Sequence, residues 1–314
     1  MFRFLYRRVL LAIPILFGVS VVVFTTLKLT PGDPLAALLG PTSTPEDRAT
    51  LTRQLGLNKP VIVQFWAWLS RTLHGDLGRS IARQLPARPI VIDAFKNTLI
   101  LTAFAAAIAI LGGVIIGGIA ALRRGRPSAA IANALSLFSV SAPQYSLGLV
   151  FIILLAAQRH ILPAGGMQNV AGGGGLGDLF QHLLLPGVTA ALVPLGIVAR
   201  MFRSSLLEVL GQDYIEALRA RGIPPARLYL HAFHNTLPSL LTVAGLQLGY
   251  LLGGVIFVEA VFSWPGIGLL VFQSISQRDL PLIQAGVLVS ALVFVVLNLA
   301  VDTLHGIVDP RIRH

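Results

Sequence analysis

Three patterns have the residue types that bind phosphate or a metal ion. Glycines occupy positions 172–175 and 177, but no Lys-Ser or Lys-Thr pair follows them as nucleotide binding requires, so a flexible loop is expected. His231 and His234 would lie on adjacent helical turns, yet a metal site needs further ligands and none is evident. Other histidines are expected in exposed loops, with contact to a chelated metal as the alternative: His74, His160 and His182. We predict no catalytic residue and no bound metal or cofactor.

Composition indicates that the chain lies in a membrane. It is 55% hydrophobic and 12% charged, with a mean hydropathy of +0.79, whereas a soluble domain has about 25% charged residues. The net charge of +11 comes from basic residues beside apolar blocks, which is typical of lipid headgroup contacts rather than of nucleic-acid binding. The chain has no cysteine, so disulfides and thiolate metal sites are excluded. We predict an all-α polytopic protein whose partners include membrane lipid and no nucleic acid.

Apolar blocks near the roughly 20-residue length of a bilayer-crossing helix predict six transmembrane helices. They cover about 9–29, 98–122, 129–157, 183–203, 237–262 and 281–305. One side of these spans carries 13 arginines in the termini and connections, whereas the short connections on the other side carry only 2. Because basic residues favour the cytoplasmic side, both termini are predicted to be cytoplasmic. The first block lacks a cleavage site and is predicted to be an uncleaved span rather than a signal peptide. Pro186 and Pro194 inside the fourth span predict a position in the bundle interior.

The predicted organisation divides the chain at the ends of these spans. The parts are an N-terminus with the first helix (1–29), an extracytoplasmic loop region (30–97), a core of five helices (98–305) with a cytoplasmic loop (204–236), and a cytoplasmic tail (306–314). Within the long outer loop, Val61–Leu73 carries Phe65, Trp66, Trp68 and Leu69, which suits a helix at the membrane interface. This loop could form a platform for an external partner or a lid packed over the bundle, and the two are compatible.

The cytoplasmic segment between the fourth and fifth spans predicts a short helix, a turn and a second helix. Asp213 is expected to cap the first helix, and Gly222 to end it in the left-handed conformation. Pro224 prevents continuation, and Pro225 suits the first turn of the second helix. The second helix carries Leu228, Tyr229, Ala232 and Phe233. Helix geometry alone leaves a mere connector and a docking element for another protein equally open.

The same segment carries a resemblance to a known family. Glu216, Ala217 and Gly222 resemble the "EAA" loop of ABC importer permeases. Further pieces resemble the dipeptide, oligopeptide and nickel permease family, and they lie in order along nearly the whole chain: Leu29-Thr-Pro-Gly-Asp-Pro34, Gly75-Asp-Leu-Gly78, Leu162-Pro-Ala164, Asp213-Tyr-Ile215, Ala220-Arg-Gly222, His231 with Asn235, Glu259-Ala-Val-Phe-Ser-Trp-Pro-Gly266, Arg278-Asp279, Asn298 with Asp302, and Asp309-Pro-Arg-Ile-Arg313. The chain departs from the family pattern at Leu218 and His234, both in the cytoplasmic segment.

The resemblance implies an importer subunit of the bacterial cytoplasmic (inner) membrane that moves short peptides. Its implied partners are a second, homologous permease subunit, two ATPase subunits that hold ATP and magnesium, and an extracytoplasmic substrate-binding protein. It also implies that a coupling helix docks in an ATPase groove through Asp213, Tyr214, Glu216, Ala217, Arg219, Ala220, Arg221 and Gly222. The alternatives are a permease of this family for nickel, glutathione or another small solute, and a secondary carrier working alone.

Small and polar residues inside the spans supply candidates for helix packing and for a path. Glycines at four-residue spacing predict close helix approach: Gly113 and Gly117 in the second span, and Gly245, Gly249 and Gly253 in the fifth. Candidates for lining the path are Ser136, Ser139, Pro143, Gln144, Gln247 and Tyr250, of which Ser136, Ser139 and Pro143 are expected to share a helical face. Ordinary interhelical hydrogen bonding is the alternative. Glu259 and Asp302 lie near span ends and no charge lies at a span centre, which counts against a proton-coupled carrier.

Overall fold

The computed structural model describes residues 2–29, 46, 52, 58–169 and 174–308. Within 2–29, 58–169 and 174–308 the chain forms ten α-helices and no β-strand, apart from one bridge between Arg79 and Pro86. In chain order the helices are α1 (Phe2–Leu29), α2 (Val61–Leu73), α3 (Ala87–Leu122), α4 (Pro127–Ser141), α5 (Gln144–Phe151), α6 (Leu176–Leu210), α7 (Asp213–Ala220), α8 (Pro225–Val261), α9 (Ile267–Ser276) and α10 (Leu280–Val308). A π-helical turn, Ile152–Ala157, follows α5 directly.

Four of these helices are long and apolar enough to cross a membrane, among the described residues: α3, α6, α8 and the part Leu280–Val301 of α10. α4 and α5 with its π turn pass the same test only as a bent pair, which makes a fifth candidate. In α1 the apolar stretch is the shorter Leu10–Thr26. Each of the six predicted spans falls mainly on helix, with a break at 142–143 in the third. The chain pieces 30–34 and 309–313, which carry part of the family resemblance, lie outside the described residues.

The predicted third span is not one helix. α4 ends at Ser141, and its axis differs by 105° from that of Gln144–Ala157, which is α5 with its π turn. Ala142 takes an extended conformation with φ −79° and ψ 134°, because a residue that precedes proline is sterically kept out of the helical region. The prediction that Ser136, Ser139 and Pro143 share one helical face is therefore wrong.

Two other helices are longer than predicted. α3 begins at Ala87, well before the predicted residue 98, since the charged residues Asp93 and Lys96 end the apolar block without ending the helix. α8 begins at Pro225 and contains Pro238, so the second arm of the cytoplasmic segment and the predicted fifth span form one continuous helix of 37 residues. α9 was not predicted.

The chain forms two compact units, and the first is built on Asn97–Pro265. α6 is central to it: 67% of its most apolar window is buried, against 33% for α3 and 39% for α8. Pro186 and Pro194 are both buried, which confirms the predicted place of this helix in a bundle interior. The core around α6 is made largely of alanines and leucines and includes the fully buried Trp264.

In this unit, Gly113 and Gly117 of α3 lie against α6. A methyl group at Gly117 would stand 2.4 Å from the carbonyl oxygen of Ala199, and at Gly113 it would stand 2.6 Å from Val198. Backbone atoms approach this closely only where a side chain is missing, which is the physical basis of small-residue packing between helices. The α3–α6 contact therefore depends on glycine at position 117.

We expect Gly117→Ala to lower the thermal unfolding temperature of the detergent-solubilised chain by several degrees, because overpacking costs about 1–3 kcal/mol. The adjacent Gly118→Ala is the matched control, since its methyl group would meet only Phe202 at an ordinary 3.7 Å. Equal melting temperatures for the two variants would show that α3 and α6 do not pack as described.

The second unit comprises the described parts of Tyr6–Lys96 together with Gly266–Val295. Its core joins the start of α3 to α9 and α10 through Val91, Ile267 and Leu282. The bounds of α2 confirm the helix that was predicted over Val61–Leu73. Aromatic contacts hold α2 against α1, with ring centroids of Phe24 and Phe65 5.4 Å apart and those of Phe17 and Trp66 6.1 Å apart.

Candidate functional site

The helix α7 presents a mixed, solvent-exposed surface. Seven of the eight predicted docking residues are exposed, and they fall on α7 and the turn after it: Asp213, Glu216, Ala217, Arg219, Ala220, Arg221 and Gly222. The eighth, Tyr214, is half-buried, and its hydroxyl accepts a hydrogen bond from the side-chain amide of Asn235 at 2.7 Å. Acidic residues lie in the first turn and Arg219 in the last, an order that the helix dipole favours.

The base of α7 is held by an apolar cluster, and its member on α7, Ile215, is not among the predicted site residues. Ile215 is fully buried among residues of three other helices: Ala121 of α3, Phe202, Leu206 and Val209 of α6, and Leu228 and Ala232 of α8. The rings of Phe202 and Phe233 meet edge to face in the same region, with centroids 5.8 Å apart. The signal for Ile215 was its place beside exposed polar residues in a short amphipathic helix, where one apolar side must be buried.

Both ends of α7 can be compared with the predictions. Gly222 has φ +74°, and Pro225 stands in the first turn of α8, so the predicted helix end and restart are confirmed. The predicted cap is wrong: Gln212 occupies the N-cap position with extended backbone, and its side chain makes no capping hydrogen bond. Asp213 is instead the first residue inside the helix, where a negative charge is favoured by the helix dipole.

These contacts attach α7 to the long helix α8. Tyr214 and Ile215 contact the beginning of α8, and α8 continues without a break to Val261. Packed helices move as rigid bodies, so a displacement of α7 would be carried along α8 into the bundle.

A cavity of about 650 Å³ lies in the first unit at the break between α4 and α5. Of the predicted lining residues it contains Pro143, Gln144 and Tyr250, and the other walls are mostly apolar: Val140, Tyr145, Val193, Gly249, Gly253, Gly254 and Phe257 among them. Gln144 is held in place, because its amide donates to the carbonyls of Thr189 and Ala190 at 3.0 and 3.1 Å.

The structure does not bring the other predicted lining residues to this cavity. Ser136 and Ser139 are buried and their hydroxyls bond to carbonyls of their own helix, at Ala132 and Leu135. Gln247 lies outside the lining, and its buried side-chain oxygen has no hydrogen-bond partner among the described residues.

The glycines of α8 have different surroundings. Gly245 is buried, while Gly249 and Gly253 border the cavity, and a methyl group at Gly253 would meet nothing within 4 Å.

The remaining candidates from the sequence are the histidines and the buried Glu259. His74 and His160 are exposed, but His182 lies buried in α6 with Nδ1 3.3 Å from the carboxylate of Asp178, so its prediction as an exposed loop residue is wrong. Among the described residues no three metal-ligating side chains come together, and His231 and His234 are exposed on α8.

Glu259 is fully buried and accepts a 2.6 Å hydrogen bond from the Thr98 hydroxyl.

Comparison with solved structures shows which fold the chain adopts. A chain of the methionine ABC transporter MetNI, in an inward-facing conformation, superposes with a TM-score of 0.57, covering 70% of this chain and 96% of that chain. At 19% identity this likeness shows the fold alone, which is the fold of an ABC transporter permease.

Sequence comparisons then give the family. Residues 113–314 match the family described as binding-protein-dependent transport system inner membrane component, and residues 1–102 match its N-terminal part. The chain therefore belongs to the binding-protein-dependent transport system inner membrane components, and it is a permease subunit of an ABC importer. It is similar over its full length to the dipeptide permease DppB of Alkalihalophilus pseudofirmus, at 38% identity, and to that of Escherichia coli K12, at 35%, where 99% of the relative is covered. The glutathione permease GsiC of Salmonella choleraesuis is 36% identical over the whole of both chains.

Proposed function

We propose that this chain is one of two permease subunits in an importer of short peptides, and that α7 is where an ATPase subunit docks. The proposal rests mainly on α7, whose outer face is exposed while its Ile215 is buried against α8. The helix thus combines an accessible contact surface with a rigid connection to α8. The dipeptide and di/tripeptide relatives support the choice of substrate. ATP and magnesium would be held by the two ATPase subunits, and this chain would contribute no catalytic residue.

The proposed topology has six spans in the bacterial inner membrane, with both termini cytoplasmic. It adds α1 to the four long helices and the bent pair, and the arginine bias supports it. In this topology α7 lies on the cytoplasmic side, while the described part of 58–97 lies outside, where an extracytoplasmic binding protein delivers substrate.

The cavity at the α4–α5 break is the proposed part of the translocation path. The apolar walls suit weak contact with peptide side chains of varied type. The Gln144 amide, held in place by its own hydrogen bonds, suits contact with the polar peptide backbone. A site without fixed charge discriminates little, so selectivity would rest with the binding protein. Rocking of the two permease subunits would open this region alternately to the two sides.

Glutathione is the second candidate substrate, because a glutathione permease matches this chain as well as the dipeptide permeases do. Uptake by the complete reconstituted transporter tests the choice. We expect labelled dipeptide to accumulate and excess unlabelled glutathione not to compete. Accumulation of glutathione with no dipeptide uptake would replace the peptide proposal by the alternative.

A further inference from the structure

Two motifs separated by 199 residues meet at one buried carboxylate in the second unit. The Asp279 side chain is fully buried, and one of its oxygens accepts hydrogen bonds from the Ser80 hydroxyl and, at 3.1 Å, from the Ala82 backbone N–H. The other oxygen faces the backbone N–H of Leu282 in the first turn of α10, at 3.4 Å. Hydrogen bonds of this kind make a buried charge tolerable. Asp279 thus joins the loop that follows Gly75-Asp-Leu-Gly78 to the start of α10.

The loop from Gly75 to Pro86 is held in one conformation. The N–H of Ser80 bonds to the carbonyl of Leu85 at 2.8 Å, and the N–H of Ala87 bonds to that of Gly78 at 2.9 Å. The Arg79 guanidinium donates to the carbonyl of Gln84 from Nε and Nη2, at 3.0 and 2.7 Å. With Asp279 at its centre, the loop is a preorganised surface element.

Four exposed arginines surround this anchored loop: Arg79, Arg83, Arg88 and Arg278. Arg79 and Arg83 flank the Ser80–Ala82 segment, and Arg278 immediately precedes Asp279. Arg88 reaches back to the loop, because its Nη1 would lie 3.5 Å from a methyl group at Gly75. Together these four residues form what we call the arginine platform.

The arginine platform has no acidic partner within the described parts of the second unit. No carboxylate there lies within 4.0 Å of its guanidinium groups, whereas the neighbouring Lys96 pairs with Asp93 at 2.9 Å. The Arg83 guanidinium donates a hydrogen bond to the side-chain amide oxygen of Gln273, at 3.4 Å. The four arginines outnumber the two carboxylates of the loop region, Asp76 and Asp279, so this surface keeps a net positive charge. A binding partner that brings further carboxylates is attracted to it.

We propose that the arginine platform is a docking surface for an acidic face of the soluble binding protein. The inference rests on the proposed function, which places this loop on the outer side of the membrane. Guanidinium groups on a preorganised loop suit bidentate contacts with carboxylates at fixed positions. A diffuse lipid headgroup layer would require only charge, and it would not require a loop fixed by a buried carboxylate. The family description says that transport depends on a binding protein, which makes such a protein the expected partner.

The test uses the complete transporter in lipid nanodiscs and its own ligand-loaded binding protein. ATP hydrolysis is measured against binding-protein concentration for the wild type and for the double variant Arg83→Glu with Arg278→Glu. We expect the half-maximal concentration to rise by at least about tenfold in about 50 mM salt, with the maximal rate unchanged. The difference should shrink in about 500 mM salt, where exposed charges are screened.

The matched control is Arg159→Glu, an exposed arginine of the other unit that also lies outside in the proposed topology. An unchanged half-maximal concentration in the double variant overturns the docking proposal, and so does an equal shift in the control. A shift that appears only in nanodiscs with anionic phosphatidylglycerol, and vanishes in pure phosphatidylcholine, identifies lipid headgroups as the partner instead. Failure of the binding protein to stimulate the wild type contradicts the importer proposal itself.

Discussion

Gly222→Val is expected to cut peptide uptake by about tenfold or more while leaving the chain inserted in the membrane. Gly222 has φ +74°, a conformation that a β-branched residue adopts only at a cost of about 1–2 kcal/mol or more. Because no atom lies within 4 Å of the added Cβ, the strain acts on the backbone and not through a clash. Relief of that strain would shift the turn that ends α7, and with it the proposed docking surface. ATP hydrolysis per peptide transported should rise accordingly.

Two controls separate this effect from general damage. Gly222→Asn should retain most of the uptake, since asparagine tolerates positive φ better than other side chains. Gly125→Val introduces the same strain, at φ +83° and also in open space, but in the turn between α3 and α4. If Gly125→Val reduces coupling as much as Gly222→Val does, the effect does not belong to α7.

Ile215→Ala is expected to abolish most of the coupling through a different cause. Ile215 is the fully buried residue of α7, and removing three of its carbons from a packed site costs about 2–5 kcal/mol. We expect α7 to detach from α8, so that ATP hydrolysis continues in the complex while uptake falls. Uptake and hydrolysis measured together in proteoliposomes check this.

Conservative and matched substitutions show whether packing is the cause. Ile215→Val should lose only a small part of the uptake, because the cost of one methyl group is about 0.5–1.5 kcal/mol. Ile131→Ala deletes the same atoms at an exposed position of α4 and should leave transport unchanged. Normal coupling in Ile215→Ala would show that the buried base of α7 carries no force.

The features that depend on local backbone chemistry could be predicted from the sequence. The helix end at Gly222, the restart at Pro225 and the bounds of α2 follow from residues whose conformational preferences are strong. The length of the apolar blocks predicted helix at all six spans, because a helix that crosses the bilayer needs roughly 20 apolar residues. Pro186 and Pro194 indicated a bundle interior, since only neighbouring helices can compensate for the lost hydrogen bonds.

Features that depend on which surfaces meet could not be predicted. The break at Ala142 was overlooked because the apolar block runs on through Pro143, although proline restricts the residue before it. The predicted start of the fifth span, near residue 237, is not a helix boundary, because α8 runs from Pro225 through Pro238. The burial of His182 and the contact of Asp279 with Ser80, 199 residues away, arise from tertiary packing, which local sequence does not reveal.

Uptake of labelled dipeptide into proteoliposomes is the most direct test of energy coupling through partner subunits. This chain alone is compared with the complete complex of two permeases, two ATPase subunits and binding protein, each with ATP and with a proton gradient. We predict uptake only by the complete complex and only with ATP. Uptake by this chain alone, driven by the proton gradient, would contradict the account and make the protein a secondary carrier.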